Sequence, residues 1–188
     1  MSTHLHTIAV LGPESSGKTT LCAQLAAHLR CPWAQEYARN YAPAQAGVYT
    51  PADLLAILAG QSALNHTALA QAQAHGDAYV IFDTEAIVLA VWAQLSFGAV
   101  PPEIERACAE QTFSHYLLLS PDLPWQADPL RSAPDLAQRQ RIFAHYEWWL
   151  QRYHRAYSII QGAGEQRLHT ALEALKQSHA FPPKSAPF

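Results

Sequence analysis

Apolar and polar residues follow one another in short blocks along this chain, and the period within the blocks changes between that of a strand and that of a helix. Brief apolar runs, typical of buried strands, predict strands over 7–11, 33–36, 79–82, 115–119 and 157–161. Apolar residues three or four positions apart predict helices over 20–29, 51–74, about 87–97, 102–112, 135–153 and 164–177. The segment 36–41 reads as a loop or a helix start.

Alternation of strands and helices determines the expected fold class. It predicts an α/β fold of three layers (α/β/α), with a five-stranded parallel sheet covered on both faces. In such a sheet the carboxyl ends of the strands share one edge, where ligands bind. The loop after the first strand, Glu36, Asp83 and the segment from Ser120 should therefore open on the same edge.

The segment between the first strand and the first helix reads Gly-Pro-Glu-Ser-Ser-Gly-Lys-Thr, which matches the phosphate-binding P-loop, G-x-x-x-x-G-K-[ST]. Gly12 and Gly17 allow the backbone to turn its amides toward an anion, and the following helix adds its positive end. Lys18 is expected to reach the outer phosphates of a nucleoside triphosphate, and the Thr19 hydroxyl to bind Mg²⁺. The same nucleotide site is predicted to include Glu14, Ser15, Ser16 and Thr20.

Acidic residues follow two other predicted strands. Asp83 ends a buried strand, at the position where a carboxylate helps to hold Mg²⁺; a helix N-cap is the alternative, and beside a P-loop we favour the metal role. Glu36 is a candidate for the base that accepts the proton of an attacking hydroxyl, against the alternative of a solvated surface residue. Glu85 either supports the first turn of the next helix or faces an acceptor substrate. Whether Glu36 or Asp83 takes the proton stays open.

Residues 120–134, hereafter the lid segment, contain four prolines and no periodicity. A loop of this length in a small domain is usually functional, and a lid that excludes water would direct phosphoryl transfer to the substrate. Arg131 is the first candidate for the cation that stabilises the transition state. Arg139 and Arg141 are weaker candidates, because an arginine on a helix is expected to be solvated. Trp125 either stacks on a base or anchors the segment.

Aromatic side chains are frequent near the expected acceptor side, and the sequence does not select among them. One or two of Trp33, Tyr37, Tyr41, Tyr49 and Trp92 are candidates to sandwich a planar or cationic ring. Tyr37 and Arg39 lie close to Glu36 and are predicted to bind the same acceptor, with ordinary surface residues as the alternative. Tyr146, Trp148 and Trp149 are assigned to packing or to a partner chain.

Composition and charge indicate which binding partners and which cellular compartment to expect. The chain has 188 residues, 49% hydrophobic and 14% charged, and a formal net charge of −3. We therefore expect a single kinase domain over 1–180 with a flexible Pro-rich tail over 181–188. Lysines and arginines do not form the basic patch of a nucleic-acid binder, and no apolar run reaches membrane-spanning length. We expect a cytoplasmic protein with a small-molecule substrate and no nucleic-acid or membrane partner; a homo-oligomer stays open.

Taken together, these motifs resemble the ribosylnicotinamide kinase domain of bacterial NadR-type proteins. The resemblance covers residues 5–176 and rests on Gly12–Thr19, on Glu36–Tyr41 (EYARNY), on Asp83–Glu85 (DTE) and on the lid pattern W-x-x-D-P-L-R from Trp125 to Arg131. It implies a P-loop kinase that uses ATP to phosphorylate the 5′-hydroxyl of nicotinamide riboside, which gives nicotinamide mononucleotide in NAD salvage.

The resemblance also implies roles for individual residues. Lys18 and Thr19 would serve ATP and Mg²⁺, Asp83 the metal or the acceptor hydroxyl, and Glu36 and Arg39 the riboside. The lid residues Trp125, Asp128 and Arg131 would serve the closed state. The sequence lacks the H-x-G-H motif of a nucleotidylyltransferase and a DNA-binding helix-turn-helix, so a stand-alone kinase is expected.

Two rival functions remain at this stage. One is a kinase of another nucleoside, such as a deoxynucleoside. The other is a non-catalytic ATP sensor, which the acidic residues after the second and third strands disfavour because a sensor needs no base. A GTPase is disfavoured because the guanine-specifying motif N-K-x-D does not occur, although the preference for ATP over GTP stays open.

Overall fold

A five-stranded, wholly parallel sheet forms the centre of the computed structural model, which describes residues 4–127 and 130–180. The strands are β1 (His6–Leu11), β2 (Trp33–Ala34), β3 (Tyr79–Asp83), β4 (His115–Leu119) and β5 (Tyr157–Ile160), in the order β2-β3-β1-β4-β5. The order confirms the predicted fold class. β1 lies in the middle, and Ala9 faces Phe82 of β3 and Tyr116 of β4.

Helices cover both faces of this sheet. They are α1 (Lys18–Leu29), α2 (Ala42–Gln45), α3 (Pro51–His75), α4 (Ala86–Phe97), α5 (Pro102–Glu110), α6 (Leu136–Arg152) and α7 (Gly164–Ala180), with a 3₁₀ helix over Tyr37–Asn40. Ile8 and Val10 of β1 pack with buried residues of α1 and α7. Ala9 and Leu11 point the other way and pack with α4 and α6. The alternation of side chains along β1 therefore separates two apolar cores.

The structure adjusts the predicted boundaries in a few places. β2 has only two residues, so Glu36 lies after the strand and not within it. The four-residue helix α2 was not predicted, because a single turn carries too little periodicity to be recognised. α6 begins one residue after Asp135, whose carboxylate accepts a hydrogen bond from the Ala137 amide (3.0 Å), and α7 extends to Ala180.

The lid segment has neither helix nor strand in its described residues, 120–127 and 130–134. The predicted tail, 181–188, lies outside the described residues. Over the described chain, no helix combines the length and apolar character that crossing a bilayer requires. The division into one domain and a tail stays a prediction.

Candidate active site

The P-loop lies between β1 and α1, with a backbone that only its glycines adopt without strain. Gly12 has φ +146° and Gly17 has φ +83°. A Cβ atom on Gly12 would lie 2.8 Å from the Leu119 carbonyl oxygen, which is closer than a carbon atom can come. The end of β4 therefore packs directly against the loop, and both glycines of the motif have a steric reason to be there.

A cavity of about 290 Å³, hereafter the phosphate cavity, opens beside this loop. It is lined by residues 14–20, Glu36, Arg39, Leu130 and Arg131. Lys18 lies within it and donates from Nζ to the carbonyl oxygens of Gly12 (2.8 Å) and Pro13 (3.1 Å). Three cationic side chains, Lys18, Arg39 and Arg131, thus line the same space as the loop backbone, an arrangement suited to a polyphosphate.

Asp83 is fully buried at the end of β3, and neither of its carboxylate oxygens has a hydrogen-bond partner among the described residues. Burial, followed by the nearby charge of Glu36, raises its pKa from 3.8 to about 6. The Thr19 hydroxyl, which approaches without forming a well-aligned hydrogen bond, and the charge of Lys18 act in the opposite direction. A buried carboxylate without a hydrogen-bond partner is neutralised either by a proton, which the raised pKa favours, or by a bound cation.

Asp83 and Thr19 fit a magnesium ion by the chemistry of their donors. Both offer oxygen atoms, which Mg²⁺ prefers, and Mg²⁺ normally takes its remaining ligands from water and phosphate. No group of three or more His, Cys, Asp or Glu side chains that could hold a metal occurs in the described part of the chain. A metal here would therefore depend on the nucleotide as well as on the protein.

Glu36 lines the phosphate cavity, and an ion pair holds its side chain in place. Its Oε2 lies 2.9 Å from Nε of Arg39, one turn along the 3₁₀ helix, and its side chain is 13% exposed. Glu36 also lines a second cavity of about 280 Å³, hereafter the aromatic cavity. The two cavities share Glu14, Lys18, Glu36 and Leu130, so they meet at these side chains.

The aromatic cavity is built mainly from α4, α6 and the loop before α3. Tyr49 and Trp92 contact each other edge to face, with ring centroids 4.8 Å apart. The Trp92 indole N–H donates to the Tyr49 hydroxyl, which lies 2.7 Å from the Ser96 hydroxyl. These hydrogen bonds fix the two rings relative to each other. The remaining lining residues beyond the shared ones are Val88, Val91, Leu95, Ser132, Gln138, Ile142 and Tyr146.

Three of the other candidate aromatics lie away from both cavities. Trp33 packs on the opposite face of the sheet, with α1 and α7. Tyr37 packs with its ring against Gly60 of α3. The Tyr41 hydroxyl donates to Asp53 at the capped start of α3 (2.7 Å). The predicted acceptor contacts of Tyr37 and Tyr41 thus have no basis in the lining of either cavity, because both side chains pack toward α3.

Tyr146 also lines the aromatic cavity, although the sequence analysis assigned it to packing or to a partner chain. It is 5% exposed, lies on α6 and lines the aromatic cavity together with Ile142, one turn earlier. Its pKa is raised by burial and by the charges of Glu36, Glu85 and Glu14. The helical spacing of Ile142 and Tyr146 after the lid segment was the available signal, but nothing in the sequence distinguishes it from core packing.

Glu85 lies one residue beyond Thr84, where the backbone turns through φ +98°. Its carboxylate accepts from the Ile87 amide (3.0 Å) as the N-cap of α4, it is 1% exposed, and it lines neither cavity. Burial raises its pKa from 4.5 to about 7, against the lowering effect of the Ile87 hydrogen bond. Of the two predicted roles, the structure supports the one at the helix start.

The lid segment is tied to the P-loop at two points. The Ser15 hydroxyl accepts from the Gln126 amide (3.1 Å), and the Glu14 carboxylate accepts from the amides of Ser132 (2.7 Å) and Ala133. Arg131 lies between these points, and its Nη1 donates to the Gln126 carbonyl (2.8 Å). These contacts hold Arg131 in the lining of the phosphate cavity, and its role as a cation for the transition state stays a prediction.

The other predicted lid residues differ in their placement. Trp125 lines neither cavity and is partly buried, so the structure favours its alternative role as an anchor. Asp128 lies outside the described residues. Arg139, expected to be solvated, is only 4% exposed and donates to the Leu123 carbonyl (2.9 Å), because the lid segment folds over this part of α6.

Arg167 of α7 is a second buried arginine that sequence reasoning missed. It donates to the carbonyl oxygens of Ser16 (2.6 Å) and Gly162 (2.6 Å), and its Nη2 pairs with Asp122 at the start of the lid segment. One guanidinium therefore joins the P-loop, the lid segment and the loop after β5. No sequence motif indicates this role, because the partners are backbone carbonyls of distant segments.

Known proteins resemble this chain in sequence over most of its length. A family model described as an AAA domain matches residues 7–167. The trifunctional NAD biosynthesis/regulator protein NadR of Salmonella typhimurium is 30% identical over 142 residues, which cover 72% of this chain and 33% of that protein. The chain thus spans about one third of the length of this relative.

Solved structures show the same fold. Crystal structures of NadR in complex with NR and in complex with NAD and AMP-PNP match with TM-scores of 0.70 and 0.71, at 20% and 21% identity, over 97% of this chain and 52% of those chains. Thymidylate kinase from Ehrlichia chaffeensis matches with a TM-score of 0.65 at 15% identity, over 93% of this chain and 98% of that one. The similarity to NadR-type proteins that the motifs indicated is thereby confirmed.

Proposed function

The chain belongs to the AAA domain family, and from that premise we propose that it is an ATP-dependent kinase that phosphorylates the 5′-hydroxyl of nicotinamide riboside. The observation that carries the proposal is the meeting of two cavities at Lys18 and Glu36. One is lined by the P-loop and the other by aromatic rings, so a triphosphate and a nucleoside have adjacent sites. Binding in both would bring the 5′-oxygen close to the γ-phosphorus.

The phosphate cavity supplies the charge that phosphoryl transfer requires. Lys18 would leave the carbonyls of Gly12 and Pro13 to pair with the outer phosphates, and Arg131 would face the γ-phosphate from the lid segment. Asp83 and Thr19 would hold Mg²⁺, which neutralises phosphate charge when bound. The Asp83 carboxylate would then serve as a metal ligand instead of an isolated buried charge.

Glu36 is the better placed of the two candidate bases. It lines both cavities, whereas Asp83 lines neither. The 5′-hydroxyl would give its proton to the Glu36 carboxylate as its oxygen bonds to the γ-phosphorus, and the bond from that phosphorus to the bridging oxygen of ADP would break. Arg39, paired to Glu36 at 2.9 Å, would hold the carboxylate in orientation.

The charges of the aromatic cavity favour an acceptor without a phosphate group. The charged residues that line it are Glu14, Lys18 and Glu36, and no arginine is among its lining residues. A nucleotide acceptor such as that implied by the name thymidylate kinase would place its phosphate near two carboxylates. The rings of Tyr49 and Trp92 beside carboxylates instead suit a planar cation, such as a pyridinium ring.

A panel of acceptors tests this proposal. With ATP and Mg²⁺, we expect transfer to nicotinamide riboside, weaker transfer to nicotinic acid riboside because its added carboxylate would face Glu14 and Glu36, and none to thymidine monophosphate. Glu36→Gln should lower kcat about a hundredfold or more, since it removes the base. Glu110→Gln, which changes an exposed carboxylate outside both cavities, is the matched control. Brisk transfer to thymidine with none to nicotinamide riboside would refute the proposal.

A further inference from the structure

Glu14, the third residue of the P-loop motif, accepts hydrogen bonds from the lid segment with its side chain. Its carboxylate lies 2.7 Å and 3.1 Å, by its two oxygens, from the Ser132 amide nitrogen, and it also accepts from the Ala133 amide. Ala133 is 1% exposed, so the second of these amides is shielded from water. Two successive backbone donors thus converge on one charged acceptor across 118 and 119 positions of sequence.

The position of this contact connects it to the chemistry. Glu14 lines both cavities, and Leu130 and Arg131, immediately before the bonded amides, line the phosphate cavity. The Arg131 guanidinium is in addition tied to the Gln126 carbonyl within the lid segment. The Glu14 contact therefore determines how closely residues 130–133 approach the place where the γ-phosphate would lie.

An acidic side chain beside a polyphosphate is unfavourable unless its charge is balanced. The two lid amides provide hydrogen bonds to the carboxylate when the segment is closed, and opening the segment would remove both. The closed lid segment therefore stabilises the Glu14 carboxylate beside the phosphates, and the Glu14 carboxylate in turn stabilises the closed lid segment.

On the basis of the proposed kinase function, we propose that Glu14 is a positioning residue that holds residues 130–133 closed, which places Arg131 at the γ-phosphate and keeps water from competing with the nucleoside hydroxyl. Without this contact water becomes the acceptor more often. Its oxygen bonds to the γ-phosphorus, the bond to the bridging oxygen of ADP breaks, and one water proton passes to solvent. ADP and inorganic phosphate then form in place of ADP and phosphorylated nucleoside.

The first test compares how ATP is partitioned between the two acceptors. ADP and phosphorylated riboside are measured together for the wild type, Glu14→Ala, Glu14→Gln and the exposed control Glu110→Ala. We expect Glu14→Ala to raise the ratio of ADP to phosphorylated riboside about tenfold, since hydrogen bonds to a charged group are lost. Glu14→Gln keeps an oxygen acceptor for one amide, and its ratio should lie between those of the wild type and Glu14→Ala. A wild-type ratio in Glu14→Ala would overturn the proposal.

The second test does not depend on the acceptor. Amide hydrogen exchange over residues 130–134 should accelerate about tenfold in Glu14→Ala, because the Ser132 and Ala133 amides lose their acceptor. Exchange in β1 and β4 serves as an internal control for folding. Unchanged exchange at Ser132 and Ala133 in a folded Glu14→Ala protein would refute the proposed role of Glu14. It would leave the proposed kinase function untouched. Absence of riboside phosphorylation by the wild type would refute the proposed function and leave the exchange result interpretable.

Discussion

Replacement of Asp83 by asparagine should stabilise the protein at neutral pH while it impairs catalysis. The carboxylate is fully buried without a hydrogen-bond partner among the described residues, and its pKa is raised from 3.8 to about 6. The folded protein therefore binds a proton more tightly than the unfolded chain does. By linkage, the free energy of unfolding falls as the pH rises from 3.8 through about 6, and the loss is complete above that value.

The size of the effect follows from the two pKa values. Because one pKa unit corresponds to about 1.4 kcal/mol, the rise from 3.8 to about 6 amounts to about 3 kcal/mol at pH values well above 6. The asparagine side chain of the Asp83→Asn variant resembles the protonated acid in size and in its lack of charge. We therefore expect similar stability of the two proteins near pH 4 and a gain of about 3 kcal/mol for the variant near pH 8.

Urea unfolding of both proteins from about pH 4 to about pH 8 measures this difference directly. Glu85, whose pKa is raised from 4.5 to about 7, titrates in an overlapping range but is present in both proteins, so its contribution largely cancels. Glu110→Gln, at an exposed position, controls for the change in net charge. A difference between Asp83→Asn and the wild type that stays constant across this pH range would refute the reasoning, because the ionised carboxylate would then carry no penalty.

Three further substitutions test other parts of the site. Lys18→Ala should reduce phosphoryl transfer about a thousandfold with little change in the urea midpoint, since its hydrogen bonds to described residues go to carbonyls of its own loop; normal turnover would contradict this. Arg167→Met should lower the free energy of unfolding by about 3 kcal/mol, because it removes a buried guanidinium with three partners; a wild-type urea midpoint would contradict this. The double variant with Asp122→Asn should lose less stability than the two single variants lose in sum, because the two residues are paired. Trp92→Leu should raise KM for the riboside about tenfold in steady-state kinetics and leave KM for ATP nearly unchanged, since it removes a ring of the aromatic cavity; equal changes in both constants would exclude this role.

The strands and the P-loop were predictable because their determinants are local. An apolar run of five residues is read from the sequence itself, and the spacing of Gly12, Gly17 and Lys18 specifies a backbone shape without reference to the rest of the chain. The carboxyl-edge rule then brought Glu36 and the lid segment to the same side, where both line the phosphate cavity.

The aromatic cavity was not predictable because it depends on how helices pack. Tyr49, Trp92 and Tyr146 come from three segments, and only the relative placement of α4 and α6 brings them together. Tyr37 and Tyr41 have the same chemistry and lie nearer to Glu36 in sequence, yet they pack toward α3. Composition therefore indicated that rings surround the site but did not identify which ones.

The Arg167 cross-link also has a consequence for synthesis of the chain. The P-loop leaves the ribosome before α7 does, because the guanidinium that bonds to the Ser16 carbonyl follows 151 positions later. A growing chain that has already formed β1 and α1 would therefore display a loop whose supporting bond does not yet exist. The P-loop should accordingly reach its final conformation only when α7 docks, after all five strands have been synthesised.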